Sequence, residues 1–207
     1  MIKNIIFDYG NTLVEFEPRN IALRFGVTDE EEIKLICEKL FDRKYWDRLD
    51  EGTLPQEEFV ENVKNDLPEK LHSVAEKICD DWVVNLPFIS GMDSLVKKLK
   101  HDGYSLFLLS NISKHFAERS DEIEIFEFFD GLVFSGKIGL VKPSGEIFDY
   151  LLEKYGLKPG ECLFVDDNRD NIAMAEKKGI NALRFEGKAE DVEKFLSCKT
   201  VKSESER

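Results

Sequence analysis

The stretch that decides the fold is IIFDYGNTLV, residues 5–14. Ile5, Ile6 and Phe7 form a continuous apolar run rather than an alternating one, the pattern of a strand covered on both faces in a parallel sheet. The run closes on a carboxylate, Asp8, followed by Tyr9, Gly10, Asn11 and Thr12. A charge at the end of a buried strand needs a reason. So does a position two residues later that carries no side chain.

Working outward, three more runs share this character: Leu106 to Leu109, Leu132 to Phe134, and Leu163 to Val165. Ala182, Leu183, Arg184 and Phe185 make a weaker fifth candidate. Helix-periodic segments lie between them and run toward Gly103, Gly156 and Gly179, glycine just past the last periodic residue being a helix stop. Alternating strands and helices predict an α/β fold with right-handed crossovers. Residues 18–87 break the alternation, because they are polar, helix-periodic and lack a convincing strand. The expectation is a core from residues 1–17 and 88–196 with a helical insertion between, in which Asp50 to Pro55 turns from one helix to the next. The polar stretch 197–207 is expected to be disordered.

The 207 residues suffice for one well-buried core with a smaller appended unit. A formal net charge of -13 argues against partners collected by a positive surface, so neither nucleic acid nor anionic lipid is expected. Four cysteines, far apart and without a CxxC pair, suggest neither a zinc site nor a disulfide framework. No window approaches the roughly 18 apolar residues of a membrane span, and no leader pattern opens the chain. The expected home is the cytoplasm. Nothing in the pattern speaks to oligomeric state.

Ligands of open parallel sheets bind at the carboxyl ends of the strands. The first run ends on Asp8, the second on Ser110 and Asn111, and the fourth on Asp166 and Asp167; Lys142 follows the third beyond a short loop. Each has a bland reading taken alone: Asp8 as a turn residue, Ser110 or Asn111 and the Asp pair as helix N-caps, Lys142 as a solvated lysine. Four polar deliveries at successive strand ends favour one shared site over four accidents. Carboxylates gathered there repel unless a cation lies among them, and hard oxygen ligands select Mg²⁺ with waters or phosphate oxygens in the remaining positions. One carboxylate then remains as a nucleophile toward phosphorus.

Four motifs in order, FDYGNTL (residues 7–13), LSN (109–111), VKP (141–143) and FVDDNRDN (164–171), resemble the haloacid dehalogenase superfamily of hydrolases. Their wording is most similar to its bacterial sugar-phosphate phosphatases acting on glucose 1-phosphate. The resemblance implies a Rossmann-like core with an α-helical cap inserted after the first strand. It implies a phosphatase of small phosphomonoesters in which Asp8 forms an aspartyl-phosphate, Ser110 and the Asn111 amide hold a phosphate oxygen, and Lys142 neutralises nucleophile and phosphate. Mg²⁺ would sit on Asp8, the Gly10 carbonyl and Asp167, with Asp166 acting through water and Asn171 behind them. In the cap, Asp50, Glu51 and Gly52 resemble the substrate-specificity loop of this cap type, with Tyr45 and Trp46 nearby; Tyr45 and Trp46 also read as cap core.

Gly10 departs from the pattern. Most phosphatases of the superfamily carry a second Asp there, which protonates the leaving oxygen and later activates water. A cap carboxyl (Asp50 or Glu51), a relay water, or a leaving group needing no acid would each answer the absence. The alternatives to a phosphatase are a 2-haloacid dehalogenase, against which the Asp166–Asp167 pair argues, and a non-catalytic protein of the same fold.

Overall fold

The computed structural model describes residues 1–82 and 86–205, the last seven of them as backbone. The strands β1 (Asn4–Phe7), β2 (Ser105–Ser110), β3 (Gly131–Phe134), β4 (Cys162–Asp166) and β5 (Asn181–Arg184) form a parallel sheet in the order β3-β2-β1-β4-β5. The chain winds from β1 to one edge and then from β4 to the other, so the switch point lies between β1 and β4. Phe7 pairs with Leu108 on one side and Val165 on the other, and Asp8 N donates to Val165 O at 3.0 Å. That register carries Asp8 just past the sheet, beside the end of β4.

The continuous apolar runs sort by strand period onto two faces. Ile5, Phe7, Leu106, Leu108, Leu163 and Val165 face one core; Ile6, Phe107, Leu109 and Phe164 face the other. The first face is covered by α6 (Met92–His101) and α11 (Ala189–Ser205), the second by α9 (Gly145–Tyr155) and α10 (Arg169–Lys177). Phe148 of α9 meets Phe164 edge-on at 5.2 Å, and truncating such a fully buried ring to Ala costs about 3–5 kcal/mol. Two short helices, α7 (Lys114–Glu118) and α8 (Ser135–Ile138), follow β2 and β3.

Between β1 and α6 lie five helices: α1 (Pro18–Arg24), α2 (Glu30–Leu40), α3 (Arg43–Asp50), α4 (Gln56–Asn65) and α5 (Glu69–Asp81). The two crossings between this helical layer and the sheet layer run side by side: Glu15 N donates to Pro87 O at 2.8 Å and Ile89 N to Leu13 O at 3.0 Å. Among the described residues no helix is long and apolar enough to cross a membrane.

The C-terminal stretch differs from expectation. Residues 197–205 continue α11 as helix instead of a disordered tail, while 206 and 207 lie outside the described residues. Val192 and Leu196 anchor the start of α11 in the core, and once a turn exists each further residue adds a backbone hydrogen bond. Polar composition alone missed that anchor.

Candidate active site

The carboxyl ends of β1, β2 and β4 open into a cavity of about 660 Å³, walled on the far side by the helical layer. From the sheet side Asp8, Gly10, Ser110, Lys142, Asp167 and Asn171 reach it. The helix-cap readings of the strand-end residues fail on local geometry. The N-cap of α7 is Ser113, not Ser110 or Asn111, and the N-cap of α10 is Asn168, whose Oδ1 accepts from Asp170 N at 2.8 Å. Those caps leave the strand-end side chains for other work.

Lys142 is the centre of the arrangement. Its buried ammonium lies 2.7 Å from Asp8 Oδ1 and 2.7 Å from Asp166 Oδ2. Burial disfavours its charge, but the two carboxylates outweigh that effect and hold it above the ordinary lysine range. Asp166 is in turn saturated: Oδ1 accepts from Asn168 N at 2.8 Å, Asn171 Nδ2 donates to Oδ2 at 2.9 Å, and Lys142 takes the rest. Asn11, with φ 54, turns the chain after Asp8 and accepts from Phe16 N through Oδ1 at 3.1 Å. Thr12 is buried with its hydroxyl unpartnered, so it braces the loop by packing alone.

Asp8, Asp166 and Asp167 each bring a carboxylate oxygen within 4.8 Å of the others. Burial pushes Asp8 up to about 6, with Lys142 opposing and Asp166 adding to the shift. Burial and the Asp166 charge likewise raise Asp167. One ammonium against three carboxylates leaves negative charge in excess, and the available donors are hard oxygens. The set fits a divalent cation such as Mg²⁺. Because Asp166 is consumed by N–H donors, the oxygens left for a cation are those of Asp8 and Asp167.

On the helical side of the cavity the structure departs from expectation at Tyr45 and Gly52, while Trp46, Asp50 and Glu51 do line it. Arg43, Trp46, Asp47 and Asp50 of α3 line it, a spacing of i, i+3, i+4 and i+7 that marks one helix face. Tyr45, expected at the substrate, lies on the opposite face with Leu49. It is buried within the helical layer, its ring edge-on to Phe59 at 5.8 Å and its hydroxyl donating to Asp66 Oδ2 at 3.1 Å. A step of one residue turns a helix by about 100°, which separates Tyr45 from Trp46. Gly52 does not line the cavity either. Its φ is 71° and a Cβ there would collide with the Gly136 carbonyl oxygen, so Gly52 is where the helical layer docks on α8. Glu51 is exposed at the cavity rim. Phe16, Phe41 and Trp82 complete the wall with Trp46, which stacks on Phe41 at 5.3 Å and meets Trp82 edge-on at 5.0 Å.

A strand-end carboxylate bridged by a buried lysine to an acidic pair, at the mouth of a parallel sheet, is the arrangement that the comparisons place in a class of hydrolases. The family model of haloacid dehalogenase-like hydrolases matches residues 2–179, and the chain belongs to that family. It is 27% identical over 207 residues to D-ribitol-5-phosphate phosphatase of Bacteroides thetaiotaomicron, covering 92% of this chain and 95% of that one. Among solved structures, a family enzyme of the same organism, in complex with magnesium and inorganic phosphate, superposes with a TM-score of 0.68 at 22% identity, covering 90% of this chain and 96% of that one. L-2-haloacid dehalogenase from Xanthobacter autotrophicus gives 0.66 at 18% identity, covering 89% and 77%. Likeness at that level shows the Rossmann-like fold and does not choose between the two chemistries.

Proposed function

We propose that the protein is a Mg²⁺-dependent phosphatase acting on a small phosphomonoester of the sugar or polyol phosphate kind. The observation that carries this reading is the Lys142 bridge between Asp8 and Asp166 with Asp167 in the same carboxylate cluster. An acidic pair crowded beside the nucleophile calls for a cation and a phosphate; a carboxylate displacing halide from carbon has no use for it. The names of the relative acting on a polyol phosphate and of the neighbour holding magnesium and phosphate point the same way.

In this reading Asp8 attacks phosphorus, the bond to the leaving oxygen breaks, and an aspartyl-phosphate forms that water then hydrolyses. Lys142 holds Asp8 in its attacking position and offsets the charge of the phosphoryl group. Ser110 and the Asn111 amide hold a phosphate oxygen. Asp166, with Asn171 behind it, fixes Lys142. Asp8, Asp167 and the Gly10 carbonyl would hold Mg²⁺, which when bound neutralises phosphate charge and orients the phosphoryl group for in-line attack. The helical layer of residues 18–87 serves as a cap on the core of residues 1–17 and 88–196. Its aromatic wall of Phe41, Trp46 and Trp82, joined by Phe16 from the end of the core segment, suits the C–H face of a sugar or polyol, and Arg43, Asp47 and Glu51 suit its hydroxyls.

The test is phosphate release from a panel of phosphomonoesters with Mg²⁺ and with chelator, with chloride release from 2-haloacids as the control. Mg²⁺-dependent phosphate release is expected. Chloride release without phosphate release would sink the assignment.

A further inference from the structure

Resting on that phosphatase reading, we propose that Asp50, on the cavity face of α3, is the general acid and base of the reaction, in place of the side chain that Gly10 lacks.

Gly10 is not a backbone necessity. Its φ lies outside the left-handed region, and a Cβ there would meet Phe16 Cβ at 3.5 Å, an ordinary contact. The loss is therefore chemical: nothing on the nucleophile loop can protonate a leaving oxygen, since Tyr9 is buried in the apolar core and Thr12 is enclosed. Among the described residues, two buried side-chain polar atoms have no hydrogen-bond partner, Thr12 Oγ1 and Asp50 Oδ1. Only the residue of the second lines the cavity that Asp8, Ser110 and Lys142 share. An unpaired buried carboxyl oxygen costs stability and survives where something else uses it.

Its surroundings set it up as an acid. Burial pushes Asp50 up to about 7; Asp47 adds to that, Arg43 opposes it, and across the cavity Asp8 raises and Lys142 lowers it. Glu51, the other acidic residue of this turn, is exposed at the rim. Asp50 is also fixed in place, because Gly52, two residues on, presses against the Gly136 carbonyl. Gly136 is itself wedged, since a Cβ there would lie 2.5 Å from Lys114 N and 2.8 Å from Ile112 O in the loop after Ser110. The end of α3 thus rests on α8, which is itself wedged against the phosphate-side loop.

The proton balance closes. As Asp8 displaces the alcohol from phosphorus, the Asp50 carboxyl gives its proton to the departing oxygen and becomes a carboxylate. Water then attacks the aspartyl-phosphate and passes a proton to Asp50 as the bond between phosphorus and Asp8 breaks. Phosphate leaves, Asp8 is again a carboxylate and Asp50 a carboxylic acid. The net change is one ester and one water converted to one alcohol and one phosphate.

The experiment compares wild-type protein, Asp50→Asn, Asp50→Glu and Glu51→Gln, each with Mg²⁺, on 4-nitrophenyl phosphate and on alkyl phosphates of rising leaving-group pKa. General acid catalysis is worth about 10²–10⁴-fold. Asp50→Asn should slow alkyl esters by about that factor and the aryl ester by far less, and Asp50→Glu should restore part of the alkyl rate. In wild type, kcat/KM on alkyl esters should fall as pH rises through about 7, where Asp50 loses its proton. Asp50→Asn should lose that limb; Glu51→Gln should keep it. Equal loss on aryl and alkyl esters with the limb retained would overturn the role of Asp50 and leave the phosphatase intact. No phosphate release from any ester by wild type would overturn both.

Discussion

Asn111 holds Lys142 by both of its backbone groups: the amide Nδ2 donates to Lys142 O and Oδ1 accepts from Lys142 N, each at 2.8 Å. The side chain of one strand end thus pairs with another segment as a sheet neighbour would, and Lys142 is aimed before any ligand arrives. Asn111→Ala removes both bonds, a loss of roughly 1–3 kcal/mol. It should lower Tm by several degrees and cut kcat at least about tenfold while KM changes less. Melting and steady-state kinetics measured together check this; a variant with lowered Tm and wild-type kcat would mean that the pair holds the fold and not the lysine.

Lys142→Met leaves Asp8 and Asp166 buried without their cation. Breaking a buried pair in this way costs about 3–5 kcal/mol. The variant should be inactive, and its denaturation midpoint in urea should recover on acidification, when the stranded carboxylates take up protons. A midpoint deficit independent of pH would argue that the loss is one of packing.

Removing Mg²⁺ with chelator should abolish phosphate release, and returning it should restore both activity and a higher Tm through binding to the folded state. Asp167→Ala should lose the restoration in both measurements. Its Asp166 neighbour is committed to nitrogen donors, so it offers no substitute. A Tm increase with Mg²⁺ that persists in Asp167→Ala would place the ion elsewhere.

The raised pKa of Asp50 has a stability signature independent of turnover. A carboxyl whose folded pKa, about 7, lies above its ordinary 3.8 adds stability that is complete below about pH 3.8 and lost as pH rises through about 7. Asn carries no charge at any pH. The Tm of Asp50→Asn relative to wild type should therefore rise from about pH 4 upward and level off above about pH 7. A difference constant across that range would show Asp50 to be charged and solvated throughout.

The sheet-side half of this site was legible in the sequence because a strand buried on both faces is written as a continuous apolar run, and the polar residue closing it has few places to go. Asp8, Ser110 and Asp166 follow directly from that pattern, and Lys142 from joining it to the others. The helical half was not. Tyr45 and Trp46 are adjacent aromatics on one amphipathic helix, and which of them meets the cavity depends on how α3 docks, a fact fixed by Gly52 and Gly136, eighty-four positions apart in the chain. The spacing of Arg43, Trp46, Asp47 and Asp50 was the available signal. It identifies a face but not what the face looks at. The end of α11 was misjudged for a related reason, since its anchor lies before the polar stretch and not in it.

The contact between Gly52 and Gly136 uncouples the wall of the cavity from its floor. Because the helical layer meets the core there through backbone and not through complementary side chains, the cavity face of α3 can be rewritten at Arg43, Trp46 or Asp47 while the docking stays as it is. On the proposed function, a different leaving group would call for substitutions in one layer, with the carboxylates and lysine of the other left as they are.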